Sequence, residues 1–285
     1  MPPGWLRPEV VLPLVLLEAL QLRGILRRPA GVGERVARAL AFALGLAAVA
    51  AACAGPVGRL VGGGVFSARV AQDVLLTFGA VPLGIVGLPA EWVRAALRPR
   101  GVRRVARVAT RPAVAIASFH AALFAGLLPV TVGVLGHRPV LSAVAGAVLV
   151  ATAVQMWTPL LVDVPELRGP ALGVQLLYLF FNWLLVTLAF AVLLFDGRLP
   201  YDGALHAVLP FGFSADQDRQ LGAVILGLGS HIAYLVALAA LFLRWADREA
   251  ATASPGHVYV RLRGGGWTDA EARRIAGLPP RPGSG

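Results

Sequence analysis

Apolar residues fall into long blocks separated by short polar stretches, a pattern that predicts membrane-spanning helices. A bilayer core of ~30 Å needs ~20 apolar residues per helix. Seven segments fit: residues 9–26, 36–60, 66–89, 112–135, 140–162, 174–195 and 221–245. The first carries Glu18 and Gln21 and is the least apolar. The second is rich in Ala and Gly, small residues that let helices approach closely in lipid. The third, FSARVAQDVLLTFGAVPLGIVGLP, opens on Arg69, Gln72 and Asp73 and holds Pro82 in its interior. Residues 69 and 73 are one helical turn apart and share a face.

Residues 91–97 read as a short interfacial segment carrying Trp92. A basic loop over 94–111 follows, with arginines at 94, 98, 100, 103, 104, 107 and 111. The fourth span starts at Pro112, a residue suited to a first helical turn, and contains His120 and Pro129. The fifth ends near Gln155, Met156, Trp157, Thr158 and Pro159. Tyr178, Phe180, Phe181 and Trp183 surround Asn182 in the sixth, and Ser230 and His231 sit near the middle of the seventh. The expected architecture is an all-α, polytopic seven-helix bundle over residues 1–250. A polar tail over 251–285 is rich in Gly, Pro and Arg and is expected to be disordered, apart from a short helix at 269–276.

Composition agrees with this class: mean hydropathy is +0.72 and only 14% of residues are charged, far from a soluble domain. All 26 basic residues are arginine, a bias suited to a GC-rich genome. They sit in membrane-flanking loops, where a basic loop can touch anionic lipid and nucleic acid is a poor reading. With the N-terminus outside, the inner loops and tail hold 20 arginines against 6 outside. The positive-inside rule therefore predicts an outer N-terminus and a cytoplasmic C-terminus. That places Arg69 and Asp73 at the outer end of the third span and the seven-arginine loop in the cytoplasm. The first residues lack the basic start and small-residue cleavage site of a signal peptide, so the first block is expected to remain as a span. The single cysteine, Cys53, excludes an intramolecular disulfide and a Cys-pair metal site. No repeat of 20 to 50 residues is visible.

Several motifs recur in an order that points to a family. They are Trp5 and Pro8, the Arg27-Arg28 pair, the FSARVAQDVLL…VPLGIVGLP stretch and Leu128-Pro129. Trp157-Thr158-Pro159, Leu199-Pro200-Tyr201, the DRQLG run from Asp218, and Trp245 with Glu249 complete the series. Over residues 5–250 the chain resembles the CtaG-type assembly factors of caa3-type cytochrome c oxidase, polytopic proteins associated with copper handling.

The resemblance implies a His-Met-x-Gln-His pattern at the start of the third helix, which falls here on Arg69 to Asp73 and retains only Gln72. The family's Trp-His-x-Pro motif falls on Gly126 to Pro129, without its histidine. A further His pair falls in Ser142 to Val150, which has none, and an expected Met falls on Leu226. Copper(I) prefers thiolate, thioether and imidazole ligands. Arg69 stays protonated and cannot coordinate, and Gln72 and Asp73 are hard oxygen donors. No cofactor is expected at this position, and Arg69 and Asp73 read as an ion pair or as a polar lock between helices.

His120 and His231 lie inside predicted spans, where they read either as interhelical hydrogen-bonding residues or as a residual copper or proton site joined by Met156. His137, His206 and His257 read as solvated side chains. Gly62 to Gly64 lacks the Lys-Ser/Thr of a phosphate loop and reads as a turn. Asp163 and Glu166, flanking Pro165, read as capping or interfacial groups. Asp216, Asp218 and Gln220 precede the last span, where negative charge favours the start of their own helix, with partner or metal contact as the other reading. No Ser-His-Asp set or zinc motif is present.

The resemblance implies a non-enzymatic accessory factor in a bacterial inner membrane, with cytochrome c oxidase subunits or other respiratory membrane proteins as partners. The alternative is a small-solute transporter or channel, suggested by prolines 82 and 129 within spans.

Overall fold

The computed structural model describes residues 8–26, 31–136, 138–162, 164–167, 169–195, 212–252 and 255–279. Trp5, Arg27, Arg28, His137, Asp163, Leu199, Pro200, Tyr201 and His206 lie outside them, as does the side chain of His257. The described residues are almost entirely helical, with one isolated bridge between Val164 and Leu167. They divide into two compact units, Met1–Leu235 and Val236–Gly285.

In the first unit α1 (Pro8–Leu26) is followed by α2 (Val32–Ala54) and, beyond Gly55, by α3 (Pro56–Gly62). Gly64, at φ 82°, makes the left-handed turn that returns the chain into α4 (Phe66–Val74). A π turn (Leu75–Ala80) joins α4 to α5 (Val81–Gly87), so the third span is one continuous element and Pro82 sits in the first turn of α5. Then come α6 (Ala90–Ala96), α7 (Arg100–Ala109), α8 (Pro112–Leu127), α9 (Pro129–Gly136), α10 (Pro139–Leu161), α11 (Leu172–Phe195) and α12 (Ala215–Thr252).

Five stretches are long and apolar enough to cross a bilayer: Val32–Gly62, Phe66–Gly87, Val140–Leu161, Leu172–Phe195 and Ala215–Asp247. A sixth arises if α7 and α8, bent by 78° to each other, are taken as one span. Two expected spans account for the difference. The segment at 9–26 is helical, yet Glu9, Glu18 and Arg23 place three charges within 18 residues. The segment at 112–135 is divided at Leu128, whose extended backbone is the conformation a following proline favours. The expected basic loop at 94–111 is also different: residues 100–109 form α7.

α2 lies along α5 and the π turn at very short range. A Cβ on Gly87 would stand 2.6 Å from Phe42 Cβ and 2.8 Å from the Phe42 backbone nitrogen, so only glycine fits there. Gln21 of α1 is fully buried, and its Nε2 donates to Gly87 O at 3.0 Å. The core is aromatic: Phe78 of the π turn makes edge contacts with Phe119, Trp157 and Tyr234, whose ring centroids lie 5.5 to 6.4 Å away.

The second unit holds the end of α12, α13 (Pro255–Gly264) and α14 (Asp269–Ile275). The helix at 269–275 matches the expected short helix; α13 forms where the composition reads as disorder. Local polar contacts join α13 to α14 beside the buried Ala272 and Ala276. Thr268 and Glu271 form a reciprocal capping box, the Tyr259 hydroxyl donates to the Asp269 carboxylate, and the Arg273 guanidinium lies 5.4 Å from the Tyr259 ring centre.

Candidate functional site

α4 begins without a capping side chain of its own, because Val65 stands at the N-cap. Its first amides are satisfied from 151 and 152 residues away: the Asp218 carboxylate accepts Phe66 N–H at 2.8 Å and Ser67 N–H at 3.1 Å. Asp218 is only 1% exposed. A carboxylate at that point meets both the orphan donors and the positive end of the helix dipole. Asp218 stands in the first turn of its own helix, α12, as its place in the sequence implies, but its carboxylate is engaged by the amides of α4. The start of α12 is instead closed by Ser214 and Gln217, whose side chains and amides exchange hydrogen bonds at 2.9 and 3.2 Å.

The next residue does the converse. Arg219, also buried, donates through Nη1 to Leu193 O near the end of α11, and its Nε donates to Asp216 Oδ1 at 3.0 Å. A guanidinium at the C-terminal end of a helix suits the negative pole. Adjacent residues of α12 thus close opposite ends of two other helices. Gly222 follows, where a Cβ would stand 2.8 Å from the Phe66 ring, and Gly229, where one would stand 2.3 Å from Val74 Cγ1. α12 therefore runs along α4 on a face that includes Leu226.

One turn into α4, Arg69 and Asp73 pair at 3.4 Å, with side chains 19% and 15% exposed. Arg69 Nη1 donates to Ser142 Oγ of α10 at 2.6 Å, and Gln72 Nε2 donates to Ala52 O of α2 at 3.0 Å. The three polar residues thus tie α4 to α2 and α10. Arg69 and Ser142 bring together two regions in which the resemblance implies histidines. What meets there is a guanidinium, a carboxylate and a hydroxyl.

His120 and His231 have separate surroundings. His120 is buried, with Nδ1 2.9 Å from Ile116 O and Nε2 3.3 Å from Asn182 O. His231 is half-buried, with Nδ1 2.5 Å from Gly227 O and Nε2 3.1 Å from Thr187 Oγ1. Both address α11, yet Asn182 and Thr187 point about 140° apart around that helix, and no hydrogen bond or ring contact joins the two imidazoles. Each imidazole nitrogen faces an oxygen, which leaves no lone pair directed at an open position.

Met156 lies beside His120's neighbours. Its sulfur accepts the Tyr234 hydroxyl at 3.8 Å, and its carbonyl accepts Tyr178 OH at 2.6 Å. Asn182 donates to Tyr178 O at 2.7 Å and leaves its buried Oδ1 without a partner. Among the described residues no group of three or more His, Cys, Asp or Glu is placed to hold a metal. The donor set does not fit copper at Arg69, Gln72 and Asp73: one group is cationic, one donates its amide to a carbonyl, and the carboxylate is engaged by the cation.

No curated protein and no solved structure matches the chain. Residues 20–248 match the family described as cytochrome c oxidase caa3 assembly factor (Caa3_CtaG). That range takes in all of α2 to α11, most of α12 and the whole of the polar arrangement at the start of α4. The chain belongs to the caa3-type cytochrome c oxidase assembly factor family.

Proposed function

We propose that this protein is a non-enzymatic accessory factor for assembly of a haem–copper cytochrome c oxidase, and that it works without copper of its own. The bundle would sit in a bacterial inner membrane as seven spans, with α1 and the broken α8–α9 pair completing the set, its N-terminus outside and its C-terminus in the cytoplasm. The observation that carries the reading is the Arg69–Asp73–Ser142 cluster. It stands at the family's motif position, holds helices together, and offers no soft ligand. Family membership supports the oxidase as partner; the cluster supports a scaffold rather than a metal carrier.

Affinity purification from native membranes in mild detergent tests it. Co-purification of oxidase subunits with far less than one copper per chain is the expected result. Repeated purification without any respiratory subunit sinks the assembly role. Stoichiometric copper lost on changing His120 and His231 would move the metal there and reject the scaffold reading.

The broken fourth span and the π turn favour transport of a small solute as the second reading. Against it, the side of the π turn that faces the bundle is filled by Phe78, Trp157 and Tyr234. Solute flux into liposomes holding the purified protein decides between the two.

A further inference from the structure

α7 separates its residues by kind. Arg100, Arg103, Arg104 and Arg107 fall within about 100° of helix circumference, and Arg111 follows at the N-cap of α8. Val102, Val105, Ala106 and Ala109 occupy the opposite side. The valines are not covered by the rest of the chain: Val105 is 69% exposed and Val102 49%. Neither are the arginines neutralised. Among the described residues no carboxylate pairs with any of the five, which border an open hollow of about 530 Å³.

The helix is nonetheless fixed in place. Gln155 Nε2 of α10 donates to Ala109 O at 2.7 Å, and Arg107 Nε donates to Glu166 O at 3.2 Å. The bend of 78° to α8 then matters. If α8 runs across the bilayer, α7 lies almost in its plane.

We infer that α7 is an interfacial helix whose arginine row binds the phosphate-bearing headgroups of anionic phospholipids while its valine row enters the boundary with the acyl chains. The two rows account for each other. A free phosphate or a nucleic acid would satisfy the arginines and leave the valines in water; an uncharged lipid would cover the valines and leave the row of positive charge without counter-charge. The remaining arginines at 94 and 98 precede α7 and add to the same positive field.

Full-length protein equilibrated with mixed phosphatidylglycerol and phosphatidylcholine in detergent provides the first measurement, by counting the lipids that stay bound. Wild type retains phosphatidylglycerol preferentially, and less so at high salt. Changing Arg100→Gln, Arg103→Gln and Arg104→Gln together lowers that preference about tenfold or more, without a change in thermal unfolding. Lysine at the same three positions restores it. Arg107, which holds Glu166 O, is left intact.

The second measurement keeps every arginine. A nitroxide on Val105→Cys, in a Cys53→Ser background, is expected to collide with dissolved oxygen more than with an aqueous nickel chelate in phosphatidylglycerol-containing vesicles. An unchanged lipid preference in the glutamine variant overturns the inference. So does a water-exposed probe at residue 105, an outcome that would assign the arginine row to an acidic soluble partner instead.

Discussion

The opening of α4 and the length of α7 are both arginine-bearing, and they treat charge in opposite ways. Around α4, every buried ion has a designated counterpart: Asp218 faces two amides, Arg219 a carbonyl and a carboxylate, Arg69 a carboxylate and a hydroxyl. Along α7, four arginines share one side and Arg111 follows beyond its end, with no carboxylate among the described residues paired to any of them. The first arrangement organises the bundle internally. The second turns its charge outward, away from the rest of the chain. Desolvation explains the division, since a charge removed from water without a partner is far more costly than one left at an aqueous surface.

The comparison breaks most readily at Asp218. Replacing it with alanine orphans the Phe66 and Ser67 amides, and a loss of about 2–3 kcal/mol is expected, read from unfolding in detergent. Asp218→Asn keeps one acceptor oxygen and recovers about half of that loss. Equal stability of wild type and Asp218→Ala would show that the cap does not organise α4.

A smaller effect is expected one turn further on. The Arg69–Asp73 pair is less enclosed, so Arg69→Ala or Asp73→Ala should each cost about 1–2 kcal/mol, between the values for open and buried pairs. The double variant is expected to cost less than the sum, with a coupling of about 1 kcal/mol. Strict additivity would mean the two charges do not act together.

The smallest effect lies in the second unit, where charge is solvated. Hydrogen bonds from the Thr268 side chain and backbone hold the Glu271 carboxyl below its ordinary value. A depressed carboxyl contributes stability above its unfolded value and loses it as pH falls through the folded one. Acidification should therefore loosen the start of α14 selectively, visible in the amide signals of Thr268 and Glu271. Glu271→Gln, which keeps the capping geometry, should flatten that dependence.

Much of this was legible from hydropathy and spacing. The spans around 36–60, 66–89, 140–162, 174–195 and 221–245 correspond to long apolar helical stretches because lipid forces ~20-residue apolar runs. The i,i+4 spacing puts Arg69 and Asp73 on one face, while their pairing at 3.4 Å is read only from the structure. The role of Asp218 was not readable, because its partner amides belong to residues 151 and 152 positions away and carry no side-chain signature. α7 was readable in principle: arginines at i, i+3, i+4 and i+7 have the period of a helix, yet a segment with so many charges reads as a loop when apolar runs define the elements. Pro129 marked a break that a length criterion passes over.

The π turn at Leu75–Ala80 sets the phase of the element it interrupts. Its wide loop leaves Thr77 O to accept the Trp157 indole at 2.8 Å, so the extra backbone is anchored from α10. Winding the same residues as a regular α-helix, with none removed, would rotate everything before it by about 100° relative to α5. Arg69 would then swing away from Ser142, and the Phe66 amides from Asp218. The aim of the polar end is therefore encoded in the wide winding of a turn that contains no charge at all.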